Sequence, residues 1–248
     1  MSYQKQSDLY LEDNISKYPA IELLCKMGYK YISPEECVKQ RDSLYNVILK
    51  DILRERLHSL NRYEYGGSVY KFTAENIEKA ITDLDEPLAD GLVRTSEKIY
   101  DALMLGKSYV ESLPDRTQKS FNLKYIDWDN IDNNVFHVTE EYACESMDKQ
   151  HNARPDIVLF VNGIPFAVIE CKAPTVSENQ AISQMIRNQG KEYIPQLFKF
   201  AQIVMATNKN AAQYATCGTG EKFWSVWREQ DTEFIDKILS YAVVDRTV

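Results

Sequence analysis

Two apolar runs joined at Asn162-Gly163 constrain this 248-residue chain more than any other feature. Ile157 to Val161 precede the dipeptide, and Ile164 to Ile169 follow it. Asn-Gly between apolar runs is the strongest short-range signal for a β-hairpin. Apolar side chains at consecutive positions require cover on both faces, so the hairpin belongs inside a sheet with helices on either side. Three charges flank these oily strands: Asp156 before the first, Glu170 and Lys172 at the end of the second. A charge there is costly unless it is paired or bound to a metal.

Register decides whether the three can act together. Side chains alternate between the faces of a strand, and a one-residue slip sends every one to the opposite face. A two-residue turn with Val161 opposite Ile164 sets Asp156 against Ile169 and turns Glu170 away. A three-residue loop, Val161-Asn162-Gly163, sets Asp156 against Val168 and brings Asp156, Glu170 and Lys172 to one face. We expect the second register, or a bulge with the same effect on parity.

On one face, two carboxylates suit a hard divalent cation such as Mg²⁺, with the backbone carbonyl of Cys171 as a further oxygen. A metal so held acidifies water for attack on a phosphodiester. Lys172 is placed to orient that water or to neutralise the phosphate. The plainer reading of the same residues is a structural salt bridge across a hairpin.

Pro155-Asp156 followed by Glu170-Cys171-Lys172 resembles the motif of PD-(D/E)xK nucleases. The wider block from Arg154 to Lys172, with Val161-Asn162-Gly163-Ile164-Pro165 at its centre, resembles the N-terminal nuclease domain of the R subunit of Type I restriction–modification enzymes. Gln189 and Tyr193 match the Gln-x-x-x-Tyr motif of the RecB-like branch. Met205 to Asn208 and Gly218 to Trp224 look like that family's last strand and following loop. The resemblance is strong from about Asn152 to Trp227 and weak from Ser7 to Ser33. It implies catalytic roles for Asp156, Glu170 and Lys172, metal ligation by Asp156, Glu170 and Cys171, and support from Gln189 and Tyr193. On a helix those last two lie one turn apart and face the same way, with Arg187 and Lys191 available to assist. Where related nucleases carry a metal-binding Glu on their first helix, this chain has Pro19; Glu12 and Glu22 are the available substitutes.

Composition sets bounds. The chain has 37 acidic and 29 basic residues, a net charge of −8. DNA affinity comes largely from neutralised phosphates, so this piece alone should bind DNA weakly. In the family resembled, motor domains and the methylation and specificity subunits hold the DNA and recognise its sequence. Five scattered cysteines contain no Cys-x-x-Cys pair, which argues against a disulfide framework or a zinc site. No apolar run approaches a membrane span and the N-terminus lacks a signal peptide's core, so a cytoplasmic location is expected. Gly218-x-Gly220-x-Lys222 lacks the full phosphate-loop pattern and reads as a loop.

Read in order, helical spacing covers Ser7 to Gly28, interrupted at Pro19. A helix capped by Ser33 runs from Pro34 to about Leu60, and Asn61 to Val69 is a loop. Thr73 to Leu84 and Ser96 to Glu111 read as helices. Leu123 to Asp127 and Val135 to Cys144 read as strands, and Ser177 to about Phe200 as a helix with a break at Pro195. Ala201 to Thr207 and Trp224 to Trp227 read as strands, and Asp231 to Tyr241 as a closing helix. Arg54, Arg56, His58 and Arg62 form a basic cluster that is either a solvated face or a contact for DNA or a partner. His151 is either a loop residue or an auxiliary to the site.

The expected fold is α/β: a mixed central sheet flanked by helices, a restriction-endonuclease-like core over 116–248 with a mainly helical portion over 1–115, in one domain. The expected function is Mg²⁺-dependent, sequence-nonspecific DNA hydrolysis within a Type I restriction complex. ATP would enter only through motor domains, whose Walker motif this chain lacks; it looks like an isolated domain or a truncated product. Another PD-(D/E)xK repair or junction-resolving nuclease and a non-catalytic docking module remain open alternatives.

Overall fold

A computed structural model describes residues 16–208 and 210–228. Helix α1 (Tyr18–Lys26) begins with Pro19 in its first turn, where a missing N–H costs nothing, and leads into strand β1 (Lys30–Tyr31). Ser33 caps α2 (Pro34–Lys39) by accepting from the Glu36 N–H, and α3 (Lys50–Leu60) follows. These are two helices where the sequence suggests one. Between them Arg41 folds inward, donating to the carbonyls of Cys37, Asn46 and Ala143 and lying over the ring of Tyr142, and the chain turns there. The expected loop over Asn61 to Val69 holds a small hairpin, β2 (Tyr63–Tyr65) and β3 (Ser68–Tyr70), turned by Gly66 and Gly67 at positive φ.

The helix expected over Thr73 to Leu84 is α4 (Ala74–Leu84), with Thr73 as its cap. Helix α5 (Leu92–Leu105) stops at Gly106, φ 74°, well before Glu111. The remainder of that expected helix is strand β4 (Lys107–Ser112), paired with β5 (Gln118–Leu123). Its alternating Tyr109 and Glu111 point inward, a period of two that the helical reading overlooked. Then come β6 (Phe136–Glu140), the short pair β7 (Cys144–Glu145) and β8 (Asn152–Ala153), and the hairpin strands β9 (Ile157–Val161) and β10 (Ile164–Cys171). Helices α6 (Glu178–Asn188) and α7 (Pro195–Phe198) precede β11 (Ile203–Thr207), β12 (Ala212–Ala215) and β13 (Ser225–Val226). The closing helix expected over Asp231 to Tyr241 lies outside the described residues.

Seven strands form the main sheet in the order β1-β6-β9-β10-β11-β12-β13. β1 is parallel to β6 and β10 to β11; the other neighbours are antiparallel, so the sheet is mixed as expected. The hairpin occupies its centre, and every residue of β9 is buried. One face packs Ile157, Leu159, Ala167 and Ile169 against Ile21 and Leu24 of α1. Val158, Phe160, Val168 and Val204 on the other face join a core containing Ala181, Ile182 and Met185 of α6 and Leu53 and Leu57 of α3. Among the described residues, no helix is long and apolar enough to cross a membrane.

The hairpin turn is itself buried. Val161 pairs with Ile164 across a two-residue turn, with Asn162 at φ 53° and Gly163 at φ 83°, the left-handed pair that matches strand twist. The Asn162 amide donates to the Tyr125 carbonyl and to Asn134 Oδ1, and its oxygen accepts from the Val135 N–H. Gly163 lies so close to the start of α3 that a Cβ would fall 2.6 Å from the Leu49 carbonyl oxygen.

Candidate active site

The two-residue turn alone would point Asp156 and Glu170 to opposite faces. Between Pro165 and Ala167 the register shifts by one residue: Pro165 pairs with Phe160, but Ala167 pairs with Leu159. This bulge restores parity. Ile157 stands opposite Ile169, so the next step outward sets Asp156 against Glu170. The three-residue loop does not form, and the alternative route to the same parity does.

Asp156, Glu170 and Lys172 therefore share the face covered by α6. The Cys171 N–H donates to Asp156 Oδ2 at 2.7 Å, tying the first carboxylate across to the second strand. Glu170 is fully buried. Its Oε2 accepts from Gln184 Nε2 at 2.7 Å, while its Oε1 is buried with no hydrogen-bond partner. Burial pushes the Glu170 carboxyl well above the usual range, and the neighbouring Asp156 charge pushes it further; Lys172 and Gln184 act in the opposite direction. Lys172 Nζ donates to the Cys171 carbonyl at 3.0 Å, so the backbone oxygen expected to face a metal lies within this cluster. Ser16 Oγ donates to the Lys172 carbonyl at 2.8 Å, drawing the chain just before α1 against the end of β10.

An orphaned buried carboxylate oxygen beside a second carboxylate and a backbone carbonyl is a donor set suited to a hard cation. Among the described residues, no group of three His, Cys, Asp or Glu side chains is placed to hold a metal, so the set is two carboxylates and a carbonyl. Glu22 is exposed and pairs with Lys26 at 2.8 Å, away from this set, and Glu12 lies outside the described residues.

The raised Glu170 carboxyl has a consequence for stability. Its folded pKa exceeds its unfolded one, so the folded chain keeps the proton longer and stability from this group falls as pH rises from the unfolded value through the folded one. In metal-free buffer, Glu170→Gln is expected to raise Tm at about pH 8 and to change it little near pH 3, where the carboxyl is largely protonated in both states. A Tm difference independent of pH, read by thermal melts across the range, would contradict this origin.

Gln189 and Tyr193 are not brought to the carboxylates. The helix ends at Asn188, so the two are not one helical turn apart. Gln189 Nε2 donates to the Met185 carbonyl, and its Oε1 accepts from the Gly218 N–H, bracing the loop after β12. Tyr193 packs its ring against His151, at 4.9 Å, and against Arg187. Gln184, which the sequence reading passed over, is the α6 residue that reaches Glu170. The signals available were Gly190, an ordinary helix stop, and the polar stripe Gln180, Gln184, Arg187 on a helix laid over the strand ends.

Gly218 to Gly220 lie in a loop, as expected, which runs into a short 3-10 turn over Glu221–Phe223, and all five cysteines are free. In the basic cluster, Arg54 pairs with Asp51 and Glu78, Arg56 donates to the Asn133 carbonyl, and Arg62 donates to carbonyls at the end of α3, which accords with a solvated face.

A family model described as Type I restriction enzyme R protein N terminus matches residues 9–223. The type I restriction enzyme EcoprrI endonuclease subunit of Escherichia coli is 26% identical over 249 residues, covering 100% of this chain and 67% of that protein. A protein of Methanocaldococcus jannaschii, provisionally named the MjaIXP endonuclease subunit of a type I restriction enzyme, is 26% identical over 243 residues, covering 94% of this chain and 22% of its own length. The similarly named MjaVIIIP subunit is 29% identical over 218 residues, 87% of this chain and 19% of the relative. The chain thus spans about a fifth of the length of these two archaeal relatives.

Proposed function

The chain belongs to the family of Type I restriction enzyme R protein N termini, and from that premise we propose that it is a Mg²⁺-dependent DNA endonuclease domain of the PD-(D/E)xK kind. The observation that carries this reading is the bulged hairpin, which sets Asp156 against Glu170 with Lys172 on the same face and leaves one Glu170 oxygen buried without a partner. Asp156, Glu170 and the Cys171 carbonyl would hold the ion, which supplies an acidified water and neutralises phosphate charge.

The residues divide the remaining work. The Cys171 N–H holds Asp156 in place, and Gln184 holds Glu170, so the two carboxylates are positioned before any ion arrives. Lys172 leaves its carbonyl contact to orient the attacking water or to meet the charge that builds on the phosphate. In this reading sequence recognition rests with specificity and methylation subunits, and ATP is used by motor domains downstream.

Calorimetric titration with Mg²⁺ or Mn²⁺ tests the proposal. The parent chain is expected to bind the ion and to melt at higher temperature in its presence, and Asp156→Asn is expected to lose both effects. A parent chain that binds neither ion, with an Asn variant melting identically, would leave only a salt-bridged docking module.

A further inference from the structure

An open cleft of about 460 Å³ runs along the exposed face of α6, lined by Lys172, Asn179, Gln180, Ser183, Gln184 and Arg187, and Gln184 links it to Glu170. In a chain with 37 acidic residues, none of these six is acidic. From Asn179 to Arg187 the wall is about 12 Å long at 1.5 Å per helical residue, comparable to three or four base-pair rises of about 3.4 Å. Neutral amides and a hydroxyl along most of it can donate to phosphate oxygens, and Arg187 supplies a cation at the far end.

Arg187 is held for that task. Its guanidinium carbon lies 5.5 Å from the centre of the Tyr193 ring, and Tyr193 is backed by His151 at 4.9 Å. A guanidinium within cation–π range of a ring still carries N–H donors that can meet the oxygens of a phosphate. Among the described residues no carboxylate forms an ion pair with Arg187, although the chain's other exposed cations often have one. An arginine packed against an aromatic ring at the rim of this cleft, with no carboxylate paired to it among the described residues, is suited to a phosphodiester backbone.

We propose that Arg187, packed against Tyr193, grips a backbone phosphate of DNA near the one that Lys172 and an ion at Asp156 and Glu170 would hold, and that the Asn179–Gln180–Ser183 wall carries the strand between them. This rests on the nuclease reading and adds the element that locates the substrate. It also gives Tyr193 a part through Arg187 instead of through the metal ligands.

Fluorescence anisotropy with a labelled DNA duplex, in a Glu170→Gln background that prevents cutting, tests it across a salt series. Arg187→Ala is expected to weaken binding about tenfold at low salt and to flatten the slope of log affinity against log salt by about one unit. Arg187→Lys should keep the slope and lose part of the affinity, and Tyr193→Phe should retain both. Equal affinity and slope in the parent and Arg187→Ala, with both binding DNA, would overturn this assignment while leaving the nuclease reading intact. Absence of DNA binding by the parent at every salt concentration would also overturn this assignment, and the metal titration then decides the nuclease reading by itself.

Discussion

Lys172→Ala is expected to lower Mg²⁺-dependent nicking of plasmid DNA by about a thousandfold, the scale of losing one well-placed electrostatic group at a reacting centre. The fold should survive. Lys172 lies at the end of β10, past the last buried residue of the strand, and its backbone bonds remain: its N–H to the Thr207 carbonyl and its carbonyl to Ser16. The ammonium does ease the Glu170 charge, so its removal drives that carboxyl further up and should weaken Mg²⁺ binding little compared with Asp156→Asn. Plasmid nicking, calorimetry and a thermal melt on the same samples separate the effects. Cutting at parental rate by the Ala variant would refute the role given to Lys172; a collapsed melt would show the residue to be structural.

Gly163→Ala is expected to destabilise the protein by roughly 3 kcal/mol, from left-handed backbone strain together with a clash that requires movement. Gly163 has φ 83°, and the added carbon would meet the Leu49 carbonyl oxygen at 2.6 Å and the Leu53 nitrogen at 3.1 Å. Both are backbone atoms at the start of α3, and the Leu49 N–H already donates to the Gly163 carbonyl at 2.9 Å. The helix cannot yield without losing Leu49, Leu53 and Leu57 from the core. For a chain of this size that corresponds to a fall in Tm of about 6–12 °C. Gly220→Ala is the control, since nothing lies within 4 Å of its added carbon. A Gly163→Ala melt within about 2 °C of the parent would mean that the turn is looser than described.

The sequence spoke most clearly where one physical rule dominated. Consecutive apolar residues around Asn162-Gly163 could satisfy themselves only as a covered hairpin, and the helical spacing from Thr73 to Leu84 meets no competing signal. The sequence points to the parity and to a bulge as one of two routes to it, but not to the bulge's place: Phe166 is one apolar residue in an apolar run, and nothing in its chemistry marks it as the extra one. Where several rules compete, the reading failed. Pro34 to Leu60 has helical periodicity throughout, yet Arg41 gains three carbonyls and an aromatic face by breaking it. Gln189 and Tyr193 have the spacing of a helical turn, but Asn188-Gln189-Gly190 ends the helix first. Gln184 belongs to a polar stripe with Gln180 and Arg187, but within that stripe an amide looks like any solvated side chain until the strand beneath it is in place.

The bulge at Phe166 also limits which chains of this kind can exist. Between Asp156 and Glu170 the count of residues can change only in steps of two, or by one accompanied by a second compensating irregularity. Lengthening the tip by a single residue would leave both strands apolar, both acids present and the sheet intact, yet would place the acids back to back across it. Such a descendant would pass any inspection by composition or motif and would lack the shared face on which the proposed ion site depends.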